Sequence, residues 1–143
     1  TEAELRSRAE ILYETYAKTI NIEALTMIDM ASKQIIPAVI KYTKTLAETV
    51  LAVKEAGVNA SVQAGVLSEV SGLLAKASAA LEILKKADAK AAAMPEGREQ
   101  AFYYKDAVKS AMEALREPID ALEMLVDESA WPIPSYAELM FEV

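Results

Sequence analysis

Cysteine and histidine are both absent from the 143 residues. Without cysteine there are no disulfides, no thiolate metal sites and no thiol catalysis. Without histidine there is no Ser-His-Asp triad, no His-zinc or two-His iron site and no di-iron Glu-x-x-His bundle. Four glycines and five prolines are too few for the many turns of an all-β fold. No Gly-x-Gly-x-x-Gly occurs, and no Gly-rich loop ends in Lys-Ser/Thr to cradle a phosphate. Apolar runs stop short of the roughly 18 residues a membrane span needs, and no signal-peptide pattern opens the chain. These gaps point away from an enzyme: no catalytic, cofactor-binding or metal-ligating residue is expected, and no membrane partner. With no export signal, the cytoplasm is the expected compartment. Thr1 stands where a reading frame would begin with Met, so a fragment or processed product is expected.

What is present is a globular composition, 53% hydrophobic and 26% charged, at the length of one domain. The net charge of −7 opposes a phosphate backbone, so no nucleic-acid partner is expected. Residues 113–143 hold eight acids (Glu113, Glu117, Asp120, Glu123, Asp127, Glu128, Glu138, Glu142) against Arg116 alone, and so carry the whole imbalance. That end reads either as a solvated face with an acidic tail or as a surface that docks on a basic one.

Apolar residues recur at helical spacing almost throughout. Leu25, Ile28, Ser32, Ile35, Val39, Tyr42, Leu46, Val50 and Val53 step by three or four along one seam. Gly57 ends that helix, and Val58-Asn59-Ala60-Ser61 reads as a turn and cap rather than a glycosylation site. Val62, Val66, Val70, Leu73, Ala77, Leu81 and Leu84 mark the next seam, which runs into the Ala-rich stretch 87–93. Met94-Pro95-Glu96-Gly97 breaks the chain before a last seam of Tyr104, Val108, Met112, Leu115, Ile119, Leu122 and Val126. Helices are thus expected over 22–56, 62–93 and 98–128, each roughly 45–52 Å long at 1.5 Å per residue. Matched lengths and short connections predict an all-α fold, an antiparallel up-down-up bundle, in a single domain 1–143. A further helix, 2–19, carries Leu5, Ala9, Leu12 and Tyr16 on one face, and is either separate from the next or continuous with it. If continuous, its first turns overhang the bundle. Pro37 and Pro118 lie inside helical patterns and are expected to kink them.

Trp131-Pro132-Ile133-Pro134-Ser135-Tyr136 cannot be helix, because each proline pushes its predecessor toward extended geometry, and Ser135 is placed to cap a last short turn through Glu138 to Phe141. An extended tail over 129–143 is therefore expected, packed on this bundle or on another surface. The candidate interface residues are Leu5, Leu12 and Tyr16 on the overhang, and Trp131, Ile133, Tyr136 and Phe141 on the tail. Asp29, among Met27, Ile28 and Met30, is the best candidate for a partly buried carboxylate, with a salt bridge as its plain alternative. Gly65 and Gly72, seven apart on one face, read as permitting close helix approach. Phe102-Tyr103-Tyr104 reads as core packing at a helix start.

Three stretches together resemble one family. Ser7-Arg8-Ala9-Glu10-Ile11-Leu12-Tyr13-Glu14, running on through Tyr16 to Ala24, resembles the start of the C-terminal region of type III glutamine synthetases. Lys33-Gln34-Ile35-Ile36-Pro37-Ala38-Val39 is similar to the next stretch of that region, and Trp131-Pro132-Ile133-Pro134-Ser135-Tyr136 with Phe141 to its closing motif. The resemblance implies a large bacterial enzyme that joins glutamate and ammonia using ATP and a divalent metal such as Mg, assembled from hexameric rings into dodecamers. It implies that the catalytic residues lie upstream; none of their motifs occurs here, so none is carried over. This chain would then be the helical C-terminal domain, with a structural or assembly role. Its partners would be the upstream catalytic domain and neighbouring subunits of a homo-oligomer. A stand-alone helical interaction module is the alternative, and a small helical enzyme would need carboxylates converging in a pocket.

Overall fold

The computed structural model describes residues 1–141, the side chains of Tyr136 and Ala137 excepted. The fold is all-α, with no strand among the described residues. Helix α1 (Glu2–Met30) passes through a π segment (Ala31–Ile35) into α2 (Ile36–Glu55), so the chain from Glu2 to Glu55 is one unbroken helix. Of the two possibilities for 19–22, continuity is the one realised; helices 2–19 and 22–56 are not separate. Thr19 and Thr26 are weak helix formers, yet each hydroxyl donates to the carbonyl four residues back, at 2.9 Å in both cases. Burial of Ala17, Ile20 and Ala24 outweighs a propensity deficit of about 0.5 kcal/mol per residue.

The π segment ends immediately before Ile36-Pro37. Pro37 has no N–H to give to the carbonyl of Lys33, and its ring crowds that carbonyl. The wider π turn moves the bonding register instead: the Ile36 N–H donates to the carbonyl of Ala31. It also keeps Ala31, Ile35 and Val39, four apart, buried on one face. Pro118 is accommodated differently, buried inside an uninterrupted α-helix. The carbonyl it orphans belongs to Ala114, an exposed residue that water can reach.

At Glu55 the chain leaves the helix through Gly57 at φ +76°, a left-handed conformation that costs glycine nothing. The Gly57 N–H donates to the carbonyl of Lys54 (3.0 Å) and the Val58 N–H to that of Val53 (3.2 Å), closing a Schellman motif. Asn59 Oδ1 then accepts the Ser61 N–H at 2.8 Å as α3 (Ser61–Ala92) begins. Gly97 at φ +141° opens the last long helical run: α4 (Arg98–Tyr103), a second π segment (Tyr104–Val108) and α5 (Lys109–Leu125). The run ends at Leu125, short of residue 128, because Val126 and Asp127 turn extended and Glu128–Ala130 form a 3-10 turn. A short α6 (Tyr136–Phe141) follows.

Helix α3 is the shared partner. It packs most extensively on α5 and next on α2, while α1 reaches α3, α4, α5 and the second π segment. The core lies along these contacts: Ile20, Ala24, Ile35 and Val39 from the first helix, Val70, Ala77, Leu81 and Leu84 from α3, and Tyr104, Val108, Leu115 and Leu122 from the last run. The expected seams fill it, except that Leu25 and Val62 face solvent. A Cβ added at Gly65 or Gly72 would meet nothing within 4 Å, so neither serves close helix approach in this chain. Helix α3 also holds an 18-residue stretch of mean hydropathy 1.2, long and apolar enough by composition alone to cross a membrane, which apolar runs did not reveal.

Candidate interaction surfaces

Length alone leaves part of the first helix uncovered. Glu2–Glu55 extends about 80 Å, against about 48 Å for α3. Residues 2–8 are accordingly exposed throughout. Leu5 is 68% exposed and Leu12 69%, one heptad apart on the same side of the helix. Tyr16 is half-buried and packs against the core, so it marks where the overhang ends.

Beside Leu12 the overhang meets the start of α4. Tyr13 and Phe102 place their rings 6.3 Å apart at 49°. Leu12, Tyr13, Thr15, Tyr16, Ala101, Phe102 and Lys105 line an apolar groove of about 470 Å³. Its edge is cationic: Arg98 lies 5.3 Å and Lys105 5.8 Å from the centre of the Phe102 ring. The aromatic triplet thus divides by helical position. Tyr104 is buried in the core, Tyr103 is half-buried beneath Lys90 at 5.2 Å, and Phe102 faces outward.

Trp131 does not belong to this free surface. It is 9% exposed and part of the molecule's own core, with Ala130 and Ile133 packed beside it. A large apolar ring next to its own bundle stays there because burial contributes about 3 kcal/mol. As an interface anchor Trp131 is therefore corrected to an internal one, and Ile133 is half-used in the same way. The root of the tail, Asp127 to Pro132, borders a groove of about 630 Å³ with Lys33, Gln34, Pro37, Lys41 and Thr45. The Tyr136 side chain lies outside the described residues. Beyond it Phe141 is 82% exposed, and Leu139 and Met140 are exposed with it.

Asp29 is exposed and paired with Lys33 one turn on, so the salt bridge rather than burial describes it. The buried carboxylate is Asp88, only 5% exposed, whose Oδ1 has no hydrogen-bond partner. Burial holds its pKa above the usual carboxylate range. Burial likewise raises the Tyr104 phenol, with the Asp88 charge adding to it. Gln100, also buried, donates from Nε2 to the carbonyls of Ala91 (3.0 Å) and Met94 (3.2 Å), tying the start of α4 to the end of α3. Both residues had a sequence signal. Asp88 sits four beyond Leu84 and three before Ala91 on the α3 seam, and Gln100 one turn before Tyr104. Among the described residues, no three carboxylates come close enough to share a metal ion. Chemically, the surface offers apolar contact with charged edges.

The family described as glutamine synthetase C-terminal domain matches residues 1–54. Across 145 positions the chain is 34% identical to a glutamine synthetase of Butyrivibrio fibrisolvens, covering all of this chain and 21% of the relative. It is 30% identical to the glutamine synthetase of Bacteroides fragilis (strain YCH46), over 98% of this chain and 20% of that protein. It is 32% identical to the type-3 glutamine synthetase of Dictyostelium discoideum, over 96% of this chain and 20% of that protein. The last of these shows that the similarity is not confined to bacteria. The chain spans about one fifth of the length of the curated relatives it matches. On these matches the chain is similar over its length to glutamine synthetases, a type-3 enzyme among them, and its first 54 residues to their C-terminal domain.

Proposed function

We propose that this chain is a non-catalytic, helical C-terminal domain of a type III glutamine synthetase, with a structural role in assembling the enzyme. The observation that carries the reading is the uncovered apolar stripe of Leu5 and Leu12, on an end of the first helix that extends beyond the helices packed on it. Apolar faces of this kind are closed by another protein surface. Its partners are then the upstream catalytic domain and neighbouring subunits of a homo-oligomer in the cytoplasm.

On this reading the three long helices run up, down and up as an antiparallel bundle, with the Trp-Pro-x-Pro tail strapped extended along it. Two observations support that arrangement: α3 contacts both flanking helices, and Gln100 binds carbonyls at the far end of α3. The parent enzyme would use ATP and a divalent metal such as Mg to join glutamate and ammonia. The residues here do not fit those groups, since the chain has no histidine and no phosphate-cradling loop. The chemistry is therefore assigned to the rest of the polypeptide. Titrating the isolated chain calorimetrically with ATP and Mg2+ tests this assignment. No saturable heat is expected, and stoichiometric binding would overturn it.

A further inference from the structure

The groove beside Phe102 and the exposed terminal helix have complementary characters. The groove has an apolar floor, its one charged lining residue is Lys105, and Arg98 lies against the same phenyl ring. Helix α6 exposes Leu139, Met140 and Phe141, with Glu138 before them and Glu142 next in the sequence. It also closes the stretch that holds the chain's entire net negative charge. Apolar side chains flanked by acids suit an apolar slot with a cationic edge.

The chain's own tail cannot make this contact. Its root is held on α2, with Ala130 and Pro132 beside Pro37 and Lys41, while the groove lies at Leu12 to Tyr16 of the same continuous helix. The 21 residues from Tyr16 to Pro37 span about 32 Å of helix. Pro132 to Tyr136 covers at most about 14 Å when fully extended, and the helix from Tyr136 to Phe141 adds only about 8 Å. The occupant must come from another molecule.

We propose that the groove receives the Glu138–Phe141 segment of a second copy of this chain. Groove and segment are different surfaces, so the contact is heterologous, and repetition gives a closed ring or an open chain according to the rotation between copies. So small a segment binds weakly by itself and gains strength when several copies are held together. The inference rests on the assembly reading above for its setting, but it is measured on the isolated chain and fails separately from that reading.

Sedimentation of the 143-residue chain over a wide concentration range is expected to show self-association. Phe141→Ala or Lys105→Glu should weaken it at least tenfold, and Lys105→Glu combined with Glu138→Lys should restore most of it. All three positions are exposed, and circular dichroism checks that the variants fold. Because the chain has no cysteine, Lys105→Cys and Leu139→Cys chains mixed under oxidation should crosslink to each other more than either does to itself. No preferential crosslink, or self-association indifferent to Phe141→Ala and Lys105→Glu, would overturn the proposal. ATP binding by the chain would overturn the ligase-domain assignment and leave this result standing.

Discussion

The buried carboxylate of Asp88 makes folding sensitive to pH. Its pKa is raised in the folded state, so the native structure favours the protonated form. Below the ordinary carboxylate range both folded and unfolded chains hold the proton, and the site contributes no penalty. As pH rises through the folded pKa the charge must sit unpaired in the core, and stability falls. Asp88→Asn should therefore stabilise the chain by about 1 kcal/mol at pH 7 and by almost nothing at pH 3, read by urea unfolding at both values. Equal effects at the two pH values would contradict this. Trp131→Ala should cost about 3 kcal/mol in the same assay, since the ring belongs to the chain's own core. A loss under about 1 kcal/mol would place the ring outside it. Sequence order misled at Asp29 and left Asp88 unnoticed for one reason. The residues beside Asp29 in sequence are apolar, but they point around the helix, whereas Asp88 stands between Ala87 and Ala89 in a stretch with Lys85, Lys86 and Lys90 and still falls on the α3 seam.

At the level of elements, the first helix combines a supported middle with an unsupported end. Ala17, Ile20 and Ala24 are buried while residues 2–8 touch solvent on all sides. Amide hydrogen exchange should be slow from Ala17 to Ala24 and fast, close to that of a free helix, from Glu2 to Arg8. Rapid exchange at Thr19–Ile22 would show a break where continuity is described. Most seam positions were legible because burial imposes a period of three or four on residue type. Continuity across 19–22 was not, because Thr-Ile-Asn-Ile is nearly neutral and tertiary packing decides it. The π segments were not legible either. Pro37 signals trouble without saying how the backbone resolves it, and Tyr104–Val108 contains no proline at all. Leu25 and Val62 fit the period and still face solvent: Leu25 lies one residue past the fully buried Ala24, turned off the packed side of the helix, and Val62 sits in the first turn of α3.

For the whole molecule, the mismatch between a helix of about 80 Å and partners of less than 50 Å is the feature that other surfaces must meet. The overhang was legible as a possibility in the spacing of Leu5, Leu12 and Tyr16. Which parts remain free was not, because that depends on the fold: it takes Trp131 inside and leaves Phe102 and Phe141 outside. If this free surface holds an enzyme together, charging its apolar stripe should release subunits. Light scattering on the longer polypeptide carrying Leu5→Asp and Leu12→Asp reads that out. A smaller particle with unchanged helix content is the expected result, and a particle of wild-type mass would contradict the assembly role.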